Sequence, residues 1–257
     1  MSAAWMRSSR DFVFVLLALL ALWQGLHLWA GGSVLSAPGP TLAFLWDLVR
    51  QDRFMPHVRE TSAAFAQALL IVWLGGITVG VTLGAHRLSG EVAEPLIVGL
   101  YSIPKVTLYP VILLMFGLGM SAKVAFGTLQ GIIPVILFSM NAVRNVNRSY
   151  IRSANVMHLS PLQTGWFVLM PAALPEIFSG VRIGFSLTVL GTMLGELFAS
   201  QRGLGFLLMS AIELQDGKTI LALAILISAF AVAMNALLGA VERRLYRHSP
   251  QGSSGRL

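Results

Sequence analysis

The chain has 257 residues, 56% of them hydrophobic and only 11% charged, with a mean hydropathy of +0.75. A soluble domain is about one-quarter charged and most of a small domain is surface, so a water-soluble enzyme is set aside. The absence of cysteine removes disulfide frameworks and cysteine nucleophiles. The formal charge of +7, which in a soluble protein would suggest nucleic acid, sits at the ends of apolar segments, where basic residues set orientation.

A membrane-crossing helix needs about 20 mainly apolar residues, and six runs meet that need: Phe12–Ala30, Ala63–Ala85, Pro95–Leu118, Ala122–Val143, Ile177–Ala199 and Ile220–Val241. The first is longer than the apolar core of a signal peptide. The following Gly31-Gly32-Ser33-Val34-Leu35-Ser36 resembles a weak cleavage site, and the first run is read as an uncleaved span. After it, Ser36-Ala37-Pro38-Gly39-Pro40 leads into Leu42, Phe44, Leu45, Trp46, Leu48 and Val49, then charges. This pattern predicts a short amphipathic helix on the outer surface. The fold class expected is an all-α membrane protein of about six transmembrane helices, one permease-like domain over residues 1–248 with a polar tail at 249–257.

With six spans both termini share a side. That side carries Arg7, Arg10, Arg87, Arg144, Arg148, Arg152, Arg243, Arg244, Arg247 and Arg256, against Arg50, Arg53, Arg59, Lys123, Arg202 and Lys218 opposite. The bias places both termini in the cytoplasm. The long loop after the fourth span is then cytoplasmic. Its helix-compatible stretch Asn145–Met157 is followed by His158-Leu159-Ser160-Pro161, where Ser160 can cap a new helix with Pro161 in its first turn. That second helix, Leu162–Met170, is expected to stop at Pro171, with Leu174-Pro175 punctuating the approach to the fifth span. A helix-turn-helix of this kind, about 145–175, is either a rigid knob for a cytoplasmic partner or a plain surface hairpin.

The loop continues Leu169-Met170-Pro171-Ala172-Ala173-Leu174-Pro175-Glu176-Ile177-Phe178-Ser179-Gly180-Val181-Arg182-Ile183. This resembles the "EAA" coupling loop of ABC importer permeases, nearest the taurine, sulfonate and nitrate branch. The likeness extends to Ser36-Ala37-Pro38-Gly39-Pro40-Thr41, to Ser102-Ile103-Pro104-Lys105 with Tyr109-Pro110 and Phe116-Gly117-Leu118-Gly119, to Gly203-Leu204-Gly205 and to Glu242-Arg243-Arg244. It implies a non-catalytic subunit in a bacterial inner membrane, paired with itself or a sister permease. Two cytoplasmic ATPase subunits would carry ATP and Mg, and a periplasmic binding protein would deliver a small anionic or polar organic solute. No GxxxxGK[ST] occurs in the chain.

The same resemblance assigns coupling to Arg152, Ser153, Ala154, Met157, His158, Leu159 and Ser160. Two of these depart from the family pattern: Arg152 stands where an acid is usual, and His158 where glycine is. A glycine there permits a positive φ or close approach, so His158 must take a compatible conformation or fill a widened socket by shape.

Polar residues inside spans are costly and informative. Glu196, Lys105 and Tyr109 are the translocation-path candidates. Glu196 is either path-facing or an interfacial carboxylate, exposed to headgroup water or paired with Arg202; Lys105 either lines the path or snorkels. Tyr109-Pro110 and Pro134 are expected to kink their helices, and Gln130 and Asn141 to bond between helices. Gly75, Gly76, Gly80 and Gly84 form a small-residue stripe suited to close packing. The histidines show no ligand spacing and no metal site is read. A membrane-embedded enzyme would need paired catalytic residues at one depth, and a secondary transporter internal repeats with broken helices; neither pattern is found.

Overall fold

The structure, a computed structural model, describes residues 2–32 and 35–248. Ser33 and Val34 of the cleavage-like stretch and the tail 249–257 lie outside the described residues. Among the described residues the chain is helical and contains no strand. Four helices are long and apolar enough to cross a membrane, and a fifth span is formed if a bent helix pair is taken as one.

The centre is a layer of three long helices, α3 (Met55–Ala85), α6 (Met120–Arg144) and α9 (Met170–Ala199), with α6 packed against both others. The approach is close because the seam is lined with small residues. Gly76, Gly80 and Gly84 of α3 meet Val135, Ile136, Ser139 and Met140 of α6, as the glycine stripe predicts. Gly127 and Gly131 of α6 meet Thr192 and Thr188 of α9. The two threonine hydroxyls donate to carbonyls of their own helix, Gly184 O at 2.7 Å and Thr188 O at 2.9 Å. Close packing rather than exclusion of water holds helices together in lipid, and the small residues along the seam permit it.

Around this layer lie α10 (Leu204–Glu213) and α11 (Gly217–His248) on one flank, and α4 (Arg87–Ser102) and α5 (Tyr109–Phe116) beside α6. α1 (Ser2–Ala30) overlaps the expected first span, but its apolar part, Leu17–Ala30, is shorter than the four crossing helices and is not one of them. It is joined to the turn after it by Trp23 Nε1 donating to Ser36 O at 3.1 Å. The predicted amphipathic helix is α2 (Pro38–Val49), packed on α11 with Leu42 and Trp46 exposed and the Arg50 guanidinium 4.2 Å above the Trp46 ring.

Two expectations are corrected. The third run, Pro95–Leu118, is not one continuous span: α4 and the segment Lys105–Phe116 meet at 83°. Ile103, preceding a proline, is extended at φ −68°, ψ 130°, because the Pro104 ring disfavours the helical region before it. A 3₁₀ turn, Lys105–Leu108, then leads into α5. Nor does the loop's second helix stop at Pro171. α8 (Pro161–Thr164) passes through a π-helical turn, Gly165–Leu169, directly into α9. Pro171 falls in the first turn of α9, where its missing N–H is tolerated, and the wider π turn absorbs the change of register.

Candidate functional site

The hairpin expected to couple is built from α7 (Arg148–Val156), a turn and α8. Asn147 caps α7, its Oδ1 accepting from Ser149 N–H at 2.9 Å. The helix ends in a left-handed residue, His158, at φ 54°. Leu159 N–H donates to Ala154 O at 3.1 Å and His158 N–H to Asn155 O at 3.0 Å, the two bonds of a Schellman cap. Ser160 and Gln163 then close a capping box: Ser160 N–H donates to Gln163 Oε1 at 2.9 Å and Gln163 N–H to Ser160 Oγ at 3.3 Å. Ala154 is buried against the bundle, whereas Arg152, Ser153, Met157, His158 and Ser160 are exposed and Leu159 is half-buried. The hairpin is a capped, rigid projection with Val156 and Met157 bare at its tip.

His158 therefore takes the conformation that glycine usually supplies. An L-residue held there costs roughly 1–2 kcal/mol. His158→Gly is expected to keep the turn and stabilise it by about 1 kcal/mol, with ATP hydrolysis by the assembled complex unchanged. The β-branched His158→Val should loosen the turn and lower that activity. Loss of assembly in His158→Gly would instead make the imidazole itself part of the contact.

At the opposite end of the bundle the structure gathers a polar knot. Glu196, near the end of α9, is 0% exposed. Its carboxylate accepts from Thr61 Oγ1 at 2.8 and 2.9 Å and from Gly205 N–H at 2.9 Å, and lies 3.7 Å from Lys123 Nζ. Lys123, 1% exposed, also donates to Glu60 Oε1 at 3.0 Å and Arg202 O at 2.8 Å. Arg202 thus contributes its carbonyl to Lys123, and the partners of Glu196 are Thr61, Gly205 and Lys123.

The knot has a second role in the backbone. The first N–H groups of a helix lack intrahelical partners and carry partial positive charge. At α10 the N–H of Gly203 donates to His57 Nδ1 at 3.1 Å, that of Leu204 to Thr61 Oγ1 at 2.8 Å and that of Gly205 to Glu196. Side chains of α3 and α9 therefore cap α10 from outside. Gly203 is required, since φ is 130° and an added Cβ would lie 2.2 Å from Glu196 Cδ.

Tyr109 sits beside the knot, its hydroxyl donating to Gly195 O at 2.9 Å and its ring edge-on to Phe126. Lys105 is buried on the 3₁₀ turn at the break, its Nζ 3.4 Å from Tyr101 O and 4.5 Å from the Tyr101 ring centroid. The structure thus brings Tyr109 and Glu196 together and sets the coupling residues at the far end. Sequence reasoning missed His57, Glu60, Thr61 and Lys123. Depth could have found them, since all fall at the same end of the helices that carry them.

A further cluster joins α9 to α11 nearer the hairpin. Arg182 bonds Asn235 Oδ1 at 2.5 Å and Glu242 Oε2 at 2.8 Å, and Ser179 Oγ donates to Glu242 Oε1 at 2.5 Å.

The helix that begins at the capped projection thus runs on without a break into the close-packed layer. Residues 75–247 match the family described as "Binding-protein-dependent transport system inner membrane component", and the chain belongs to that family. It is the transmembrane subunit of an ABC importer, a transport subunit rather than an enzyme, and a multi-pass membrane protein. It is 32% identical over 189 residues to the taurine transport system permease protein TauC of Escherichia coli (strain K12), covering 74% of this chain and 69% of that one. It is 28% identical over 242 residues to the riboflavin transport system permease protein RibX of Chloroflexus aurantiacus, covering 90% and 87%. The fold is similar to a chain of the MetNI methionine ABC transporter solved in inward-facing conformations, with a TM-score of 0.65 at 21% identity, covering 78% of this chain and 96% of that one.

Proposed function

We propose that two copies of this chain, or this chain and a sister permease, enclose the path of a small anionic or polar organic solute across a bacterial inner membrane. Residues 1–248 form one permease domain of six spans with both termini cytoplasmic, and the tail 249–257 lies beyond it. Two cytoplasmic ATPase subunits, holding ATP and Mg, each grip one hairpin, and a periplasmic binding protein delivers solute at the end carrying the knot. Membership of the importer family is the observation that carries this reading. The solute class follows from relatives named for taurine, aliphatic sulfonates, nitrate and riboflavin.

Each residue has a part in this scheme. Met157, Leu159 and Ser160 enter the ATPase groove on the turn that the backbone of His158 shapes, with Arg152 and Ser153 beside them, while Ala154 seats the hairpin on the bundle. Lys105, a buried cation at the break of a bent span, offers charge to an anion in transit, and Tyr109 holds that break against α9. Glu196 clasps the outer end. The chain has no native cysteine, so Met157→Cys or Leu159→Cys gives a single labelling site. Each is expected to crosslink to the ATPase subunit, with a yield that changes when ATP binds. No crosslink in an intact complex that still transports would remove the hairpin from the coupling route.

A further inference from the structure

The apolar helix from Leu162 to Phe198 is 37 residues long, roughly 55 Å at about 1.5 Å per residue. A bilayer core is about 30 Å thick, so even a tilted helix leaves several turns outside it. The charged knot, with Glu60 29% exposed, marks the membrane boundary at the Glu196 end, since ionised groups avoid the bilayer centre, which puts the excess at the Leu162 end. There the side chains are bare: Leu162 is 74% exposed, Trp166 66% and Phe167 74%. The π turn widens the spacing, so Leu162, Trp166, Phe167 and Pro171 fall on one side, and the exposed stripe runs on into Leu174 of the span. α7 packs against this turn and carries exposed Arg148 and Arg152.

We propose that residues 162–171 are a membrane-surface anchor: Leu162, Trp166 and Phe167 enter the headgroup region of the cytoplasmic leaflet, and Arg148 meets its anionic phosphates. Tryptophan is enriched at this depth, with its ring in the apolar zone and its N–H in the wet one. Arginines near a leaflet surface gain from anionic lipid. The stripe's continuity with the span favours lipid over protein as its cover. The ATPase-facing tip, Val156–His158, belongs to the other side of the turn in sequence and needs no help from these residues. The anchor would hold the base of the hairpin at fixed depth, so that a pull on the tip turns α9 rather than sliding the hairpin.

The inference rests on the cytoplasmic placement of the loop. The test uses the permease–ATPase complex in nanodiscs containing anionic lipid, in a variant where Trp166 is the one tryptophan left. If that variant does not fold, the difference between wild type and Trp166→Phe reads the same residue. Trp166 emission is expected to be mostly lost when the lipid is brominated near the carbonyl end of its acyl chains. It should be little affected by aqueous iodide, with or without the ATPase. Strong iodide quenching with none from brominated lipid would overturn the anchor. So would shielding from iodide that appears only when the ATPase is bound, which would make the stripe a protein contact. The side is read separately: Asn155→Cys should react with an impermeant maleimide in inside-out but not right-side-out vesicles. The reverse would overturn the cytoplasmic placement while leaving the bromine reading of depth intact.

Discussion

Replacing Lys123 with methionine is expected to cost about 3–5 kcal/mol of stability, the usual result of leaving a buried charge without its partner. The ammonium group is almost wholly buried and serves Glu60, Glu196 and the Arg202 carbonyl together. Without it Glu60, at 29% exposure, can turn to water, but Glu196 cannot. The Thr61 and Gly205 bonds would remain, with no cation to balance the carboxylate. Lys123→Met with Glu196→Gln should regain part of the loss, because the amide oxygen can still accept from Gly205 and carries no charge. The measurement is the temperature at which half of the purified complex leaves its monodisperse peak after heating. A Lys123→Met midpoint equal to wild type would show that the pair contributes nothing.

The second large effect is expected on the α3–α6 seam. An added Cβ at Gly84 would lie 2.5 Å from Met140 O, and at Gly80 2.6 Å from Ile136 O. These are backbone atoms of a packed helix, so no side chain can swing away and the two helices must part. Gly80→Ala and Gly84→Ala are each expected to cost about 1–3 kcal/mol, the range for overpacking. Gly75 lies on the same helix, yet its Cβ would meet only Ile132 Cδ1 at 3.6 Å. Gly75→Ala should be neutral or slightly stabilising, since alanine is the better helix former by about 0.5–1 kcal/mol. The same melting measurement across the three variants decides the matter. An equal loss in Gly75→Ala and Gly84→Ala would mean that the seam is not the cause.

Hydropathy made most of the helical layer legible, because a lipid-crossing segment announces itself by length and composition alone. It hid the break at Ile103-Pro104, since averaging over apolar residues ignores a backbone constraint that one proline imposes. Pro171 is the converse: a proline in sequence reads as a stop, but this one sits in the first turn of α9, where no N–H is owed. Ser160 as a cap was readable because a capping box is local. The knot was not. Thr61 and Glu196 are 135 positions apart, and each carboxylate or lysine taken singly reads as an interfacial charge. His158 shows the limit of a motif: the sequence named the position that needs a positive φ, and only the structure shows a histidine meeting that need.

The sources of the knot also set an order on biosynthesis. His57, Glu60 and Thr61 are made first, then Lys123, then Glu196, and Gly203 to Gly205 last. Until Glu196 and Gly205 are made, Lys123 can pair with Glu60 of α3, but the buried part of the knot, Glu196 with Thr61, Gly205 and Lys123, stays open. A chain that stalls before this point keeps its first spans but leaves Thr61 and Lys123 without the buried carboxylate they face in the finished subunit. The clasp that closes the folded subunit therefore forms only after most of the chain has been made, with the rest of α10 and α11 still to come.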